Sequence, residues 1–226
     1  MYHVLPQLLS ANDLAKIKDL LESGDWEEGR GSAGAQAARD KHNLQLKKAT
    51  TQHNEIMNIV LPAIQESHLF LAITLAHKIY PPTINRYCPE YPSYGKHYDN
   101  SIRLRPDGQR IRADLSCTIF LSDPTDYSGG ELIIHDQSAQ HTIQLAAGSA
   151  VIYPADCLHQ VLPVNQGVRF AAFFWLQSMV KRHEQRNLLY QLDQNIQAIR
   201  QQYGETEQTV NLTGVYHQLL RQWVEV

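Results

Sequence analysis

The stretch Gly167-Val168-Arg169-Phe170-Ala171-Ala172-Phe173-Phe174-Trp175 reads as a strand that is apolar apart from one cation. Period-two alternation puts Ala171, Phe173 and Trp175 on the face that carries Arg169. That face is a small, mostly apolar cavity wall with a single cationic hook. An arginine inside an apolar strand is unfavourable unless an anion pairs with it. Its planar fork suits a carboxylate bidentately, and a bound ligand can supply one.

Around this strand, from residue 70 to 176, β-branched and aromatic residues, Pro and Gly punctuation and short apolar runs dominate. The pattern predicts strands over 70–76, 83–87, 95–99, 112–121, 131–134, 141–145, 149–153, 158–162 and 168–176. Many short strands separated by turn signals describe a sandwich or barrel of two sheets. Upstream, Ser10 and Asp13 open a helix on which Leu14, Ile17, Leu20 and Leu21 recur at helical spacing, with Gly24 as its stop. A second helix is expected over 51–67, with Ile56, Ile59, Val60, Ala63 and Ile64 on one face and Pro62 inside it. After Met179 helical spacing returns, with Leu188, Leu192, Ile196 and Ile199, then Tyr216, Leu219, Leu220 and Trp223. The expected class is mainly β with flanking helices. The strand-rich core spans about 70–178 of a first unit, 1–178, and a helical pair fills 179–226. That pair packs on the core, or on a second copy in a homo-oligomer.

Within the strand-rich region stands His97-Tyr98-Asp99, after the strand-entry segment Tyr94-Gly95-Lys96. In an extended strand residues i and i+2 share a face, roughly 6–7 Å apart. His97 and Asp99 therefore aim an imidazole and a carboxylate at one point. His159 follows Gly148-Ser149-Ala150-Val151-Ile152-Tyr153-Pro154, a strand and then a turn, and Arg169 lies ten residues further on. A second imidazole from His159 completes a facial set of two nitrogens and one oxygen. Such a set leaves about three positions open on an octahedral ion, the arrangement of non-haem Fe(II) oxygenases.

Bulk properties bound the rest. The chain has 226 residues, is 43% hydrophobic and carries a net charge of −3 from 20 basic and 23 acidic side chains. That balance argues against bulk nucleic-acid binding. The three cysteines, Cys88, Cys117 and Cys157, match no disulfide framework or zinc ribbon, so a reducing compartment is expected. No signal peptide and no membrane-spanning run is read, and a soluble, cytoplasmic protein is expected. Residues 29–39 are small and Gly-rich, a surface loop or a flap over the site. Pro106-Asp107-Gly108 is a turn. It is flanked by Arg103 and Arg105, then Arg110 and Arg112, which could share one face with Leu104 and Ile111 on the other. This is either a solvated hairpin or a cationic rim that steers an acidic or phosphate-bearing substrate. His135 and His141 flank a hairpin loop and read as surface residues.

Taken together, five segments carry a family resemblance: Asn85-Arg86-Tyr87, Ser93 to Asp99, Arg112 to Leu121, Gly129-Gly130-Glu131-Leu132, and Gly167 to Trp175. They resemble the signature of the Fe(II)/2-oxoglutarate-dependent dioxygenases, and more closely the PKHD-type hydroxylases, relatives of the prolyl 4-hydroxylases. With the helical tail, the resemblance covers nearly the whole chain. It implies a double-stranded β-helix (jelly roll) with the metal at its mouth, and residues 1–178 as the dioxygenase domain. It implies Fe(II) ligation by His97, Asp99 and His159, and binding of the distal 2-oxoglutarate carboxylate by Arg169. A supporting tyrosine is expected, Tyr87 first and Tyr94 second, and L-ascorbate is implied as reductant. The implied activity is hydroxylation of a small-molecule or peptide substrate with release of succinate and CO2, and a link to iron uptake. Two other readings share the ligands: a jelly-roll sensor of iron or 2-oxoglutarate without catalysis, and a zinc-dependent hydrolase with a metal-bound water. Arg169 favours the oxygenase, and no additional general base suggests itself for the hydrolase.

Overall fold

Antiparallel ladders assemble two facing sheets in the computed structural model, which describes residues 2–32, 37–136 and 139–225. The large sheet runs in the order His3–Leu5, Ala150–Pro154, Leu115–Phe120, Arg169–Ser178, Thr83–Tyr87, Leu44–Leu46 and Trp26–Glu28, with Ala76–Ile79 also paired to Arg169–Ser178. The small sheet runs Gln140–Ile143, Leu132–His135, Leu158–Val161, Ser93–His97 and Lys41–His42. From Leu115 onward the chain visits the large sheet, the small sheet twice, then large, small and large. This alternation is what makes a jelly roll rather than two hairpin stacks.

Residues of both sheets fill the space between them: Tyr87, Phe120, Val151 and Tyr153 from the large one, Leu132, Ile134, Ile143 and Val161 from the small one. The opposite face of the large sheet carries helices. Ile119, Ile152, Ala172, Phe174 and Leu176 pack against Ile17 and Leu21 of α1 (Ala11–Glu22), Ile56, Val60 and Ile64 of α2 (Thr51–Glu66), and Phe70 of α3 (His68–Thr74). Both faces of the Arg169–Ser178 strand are thus covered, which explains why its sequence is a near-continuous apolar run rather than an alternation. The helix starts follow their caps. Ser10 and Asp13 form a reciprocal capping box, and Thr50 accepts from the His53 amide. No single helix is long and apolar enough to cross a membrane.

Several expectations need correction. Residues 70–76 are not a strand. Ser67 caps the Phe70 amide, Phe70, Ile73 and Thr74 are buried at helical spacing, and Leu75 closes α3 in the left-handed region at φ 44°. Sheet pairing begins only at Ala76. The expected strand 112–121 is two strands, Arg110–Arg112 and Leu115–Phe120, in different sheets. Very short strands upstream of residue 70, such as Lys41–His42 and Leu44–Leu46, join both sheets. Of the Gly-rich stretch 29–39, residues 33–36 lie outside the described residues, and Gly29–Ser32 and Ala37–Asp40 are short 3-10 turns.

The chain ends in α4 (His183–Tyr203) and α5 (Glu207–Trp223), joined at Gly204. Leu189 packs with Leu75 and Val180, and Tyr216, Leu219, Leu220 and Trp223 lie against this cluster. Arg186, 4% exposed, anchors the first turn of α4 by donating from Nη1 to the Val180 and Lys181 carbonyls at 2.8 and 2.7 Å. Replacing it with methionine keeps the volume and strips both carbonyls of a charged donor. Arg186→Met is expected to lower stability by about 2–3 kcal/mol, read as a lower urea midpoint at unchanged slope.

Candidate metal centre and its pocket

His159 and His97 face each other across neighbouring strands of the small sheet. Their rings are 4.2 Å apart, and Asp99 completes a group whose donor atoms all lie within 4.8 Å of one another. Among the described residues this is the one cluster of three or more such groups. Backbone carbonyls set the tautomers. His97 Nδ1 is 2.7 Å from the Gly95 oxygen, and His159 Nδ1 is 3.0 Å from the Cys157 oxygen. A carbonyl only accepts, so each Nδ1 carries the proton and each Nε2 presents a lone pair. This is the arrangement that fixes metal-binding imidazoles. Burial, reinforced by the neighbouring His159 ring, holds the His97 pKa well below the ordinary imidazole value and keeps the ring neutral.

Asp99 is not where simple alternation puts it. The strand ends at His97, and Asp99 lies beyond it in irregular chain. Its carboxylate is oriented instead by tertiary partners. Ser116 of the large sheet donates from Oγ to Oδ2 at 2.7 Å, and Arg103 Nη2 stands 3.6 Å from Oδ1. His159 Nε2 is 3.7 Å from Oδ2. The donor set of two neutral imidazoles and one carboxylate on one side fits a ferrous ion.

The three donors open into a pocket between the sheets. Arg169, 1% exposed, lines the same pocket, with Ala171, Phe173 and Trp175 beside it. Its guanidinium lies 5.4 Å from the Tyr87 ring and 5.1 Å from the Phe120 ring. Nε and Nη2 are buried without a hydrogen-bond partner. A buried, unneutralised guanidinium forfeits several kcal/mol of hydration, so this end of the pocket calls for an anion. Gly130, at φ +70°, lets the neighbouring turn close on this side chain. A Cβ there would meet Val164 Cγ2 at 2.7 Å and Arg169 Cδ at 3.0 Å.

Of the two expected tyrosines, Tyr87 pairs in register with Arg169 and is 1% exposed, with its hydroxyl reached by Asn85 Nδ2 at 3.3 Å. Gln45 in turn holds Asn85. Tyr94 stacks on His97, with ring centroids 3.6 Å apart. The arginine hairpin is sorted differently from expectation. Arg103 pairs across from Ile111, so these two share a face, whereas Arg110 and Arg112 lie opposite Leu104 and Ile102 on the other. Arg112 binds Asp114, and Arg105 pairs with Asp107. Only Arg103 of the four lines the pocket. His141 is tied to Asp136 at 2.8 Å and joins no metal cluster among the described residues. Two pocket residues escaped the sequence: Ser116, and Lys41, which is 2% exposed with its ammonium 4.9 Å from the Tyr94 ring centroid. Burial, reinforced by Arg103 and opposed by Asp99, brings the Lys41 pKa down to about 7. No local pattern marks a lysine in a two-residue strand, and the serine's only signal is its place in the segment from Arg112 to Leu121.

Residues 82–177 match the model of the 2OG-Fe(II) oxygenase superfamily, and residues 183–225 match the PKHD-type hydroxylase C-terminal domain. A PKHD-type hydroxylase of Polaromonas is 46% identical over 226 residues, the full length of both chains. The chain belongs to the PKHD-type hydroxylases. Escherichia coli YbiX, a PKHD-type hydroxylase, is 42% identical, again over the whole of both chains. Among solved structures, a Trichoplax adhaerens prolyl hydroxylase in complex with a hypoxia inducible factor peptide fragment superposes with a TM-score of 0.54 at 14% identity. The match covers 83% of this chain and 86% of that one, and it shows the shared jelly-roll fold. As a PKHD-type hydroxylase the protein is an Fe(II)- and 2-oxoglutarate-using oxidoreductase of the dioxygenase class.

Buried neutral histidines give this PKHD-type hydroxylase an acid limit. Burial lowers the pKa of His3, His53, His97 and His183 alike. Below the unfolded value of about 6.5, the unfolded chain binds protons that the folded chain refuses, so stability present above that pH is lost as pH falls. The urea midpoint of metal-free protein is expected to be lower at pH 5 than at pH 7.

Proposed function

We propose that His97, Asp99 and His159 hold the ferrous ion and that Arg169 receives the distal carboxylate of 2-oxoglutarate, with Tyr87 backing the guanidinium. One observation carries this reading: a nearly inaccessible arginine with unpartnered donors opens into the same pocket as the three metal donors. The bound metal supplies oxygen activation coupled to decarboxylation of 2-oxoglutarate to succinate and CO2. The chain supplies placement. The Gly95 and Cys157 carbonyls keep both Nε2 lone pairs inward, and Ser116 fixes the carboxylate. Arg169 orients the keto acid as well as holding it, and Phe173 and Trp175 limit access of water to the reacting side.

The product is a hydroxylated small molecule or peptide, and no nucleic acid or membrane is needed as partner. Ascorbate serves as the reductant in assays, and a role in iron uptake, a cytoplasmic location and a homo-oligomer belong to the same proposal. So does the division into a catalytic unit at 1–178 and a helical appendage at 179–226. No particular observation favours the zinc hydrolase or the silent sensor.

Anaerobic addition of Fe(II) and 2-oxoglutarate is expected to raise a weak visible charge-transfer band. Asp99→Ala should abolish stoichiometric iron binding. Arg169→Met should keep iron and weaken 2-oxoglutarate at least thirtyfold, about 2 kcal/mol or more for stranding one partner of a buried charge pair. Retention of wild-type 2-oxoglutarate affinity by Arg169→Met would sink the assignment.

A further inference from the structure

Just beyond Asp99 the chain forms a two-stranded ribbon, Ile102–Leu104 with Arg110–Arg112, that belongs to neither layer. Its ladder is defined by its ends. The Ala113 amide donates to the Ser101 carbonyl and the Arg105 amide to the Gln109 carbonyl, both at 2.8 Å. Bonded positions alternate in an antiparallel pair. Arg103 therefore bonds to Ile111, and the amides and carbonyls of Ile102, Leu104, Arg110 and Arg112 point away from the ribbon. On the Arg110–Arg112 side the large sheet receives one of them, since the Arg112 amide donates to Gln177 Oε1 at 3.1 Å. On the Ile102–Leu104 side no strand among the described residues is paired.

That edge borders the pocket. Arg103, between the two outward residues, turns its side chain over Trp175 and lines the cavity. Of nine large apolar side chains exposed among the described residues, three fall within seven positions here: Tyr98, Ile102 and Leu104, each more than half exposed. The candidate metal donors thus open beside a row of main-chain donors and acceptors flanked by uncovered apolar groups, a combination that marks an interaction site.

We propose that the Ile102–Leu104 edge docks the substrate, and that the substrate is a stretch of polypeptide that adds to this ribbon as a third, extended strand. The metal and 2-oxoglutarate assignment above is the reading on which this rests. The outward amide and carbonyl of Ile102 recur at Leu104, about 6–7 Å further along. Another extended chain carries the complementary repeat, and a small molecule does not. The guest residue opposite Arg103 lies on the face that Arg103 turns to the pocket, about 4.8 Å from it. Its side chain is the one presented to the metal donors. A second copy of this chain is a poor occupant. A three-residue edge buries far less than the roughly 1,200 Å² or more of a stable protein pair, whereas a substrate that must leave needs only weak docking.

The full chain, loaded anaerobically with Fe(II) and saturating 2-oxoglutarate, is panned against a displayed library of random nonapeptides, and the most enriched peptide is synthesised. That peptide is expected to shift the charge-transfer band. Methylating every second backbone nitrogen of it is expected to raise its half-saturation about tenfold, a lost hydrogen bond, and methylating the intervening nitrogens much less. Leu104→Pro deletes one outward amide and no ladder bond, a change that an edge strand accepts, and Leu104→Ala keeps the amide. The proline variant is expected to bind the peptide about tenfold more weakly than the alanine variant. The methylation scan changes only the peptide, so it holds even where the proline disturbs the ribbon. No enriched peptide, binding that leaves the band unmoved, indifference to alternate methylation, or equal affinity of the two Leu104 variants overturns the proposal. So does a dimer in sedimentation that Leu104→Pro dissociates, which assigns the edge to a second copy. Absence of the band before any peptide is added strikes at the cofactor reading instead, and the substrate proposal falls with it.

Discussion

A guanidinium with two buried, unpartnered nitrogens sits at the start of a strand whose next seven residues are apolar. Arg169 is 1% exposed, and the faces of Tyr87 and Phe120 beside it attract a cation by a fraction of what hydration would give. On the proposed assignment, an anion from outside completes the site. The strand is pinned on both sides by six-residue and five-residue registers, to Leu115–Phe120 and to Thr83–Tyr87. Its outer face is buried under helices. The helices and the ladder hold the backbone in place, and the inner face can then carry a group that does not favour folding.

The same division runs through the candidate metal donors. The imidazoles stand on sheet strands and are oriented by their own chain, through carbonyls two residues upstream. The carboxylate stands off the sheet and is oriented by Ser116 of the opposite layer and by Arg103 of the Ile102–Leu104 strand. The geometry of these three groups thus depends on the two layers keeping their spacing, and the interior between them is filled with large side chains such as Phe120, Tyr153 and Ile134. Packing at this density resists small displacements, which suits a site whose donors must stay within an ion's reach.

Much of this was legible in the sequence because it rests on chemistry and period. His97, His159 and Arg169 stand out where their surroundings make a polar group unfavourable. The capped helices and the long strand at residues 168–176 follow directly from cap residues and apolar runs. The misread elements are short. In the seven residues of α3, a run of β-branched and large apolar side chains looks the same whether it is a buried helix or a buried strand, and the serine cap at 67 decides. The arginine hairpin has three-residue strands, and one step of register turns every side chain to the other face. Asp99 was legible as a candidate donor but not as a position, since its placement comes from residue 116 in the large sheet. Lys41 was invisible because a two-residue edge strand has no period to read.

The placement of the three tryptophans gives the protein a built-in optical gauge. Trp26 packs on Phe170 behind the large sheet, and Trp223 lies with the cluster around Leu189 near the C-terminus. Trp175 alone of the three lines the cavity, with a guanidinium over its face. Emission from a single indole can therefore follow events inside the cavity, while the other two supply a steady background from regions that those events do not touch.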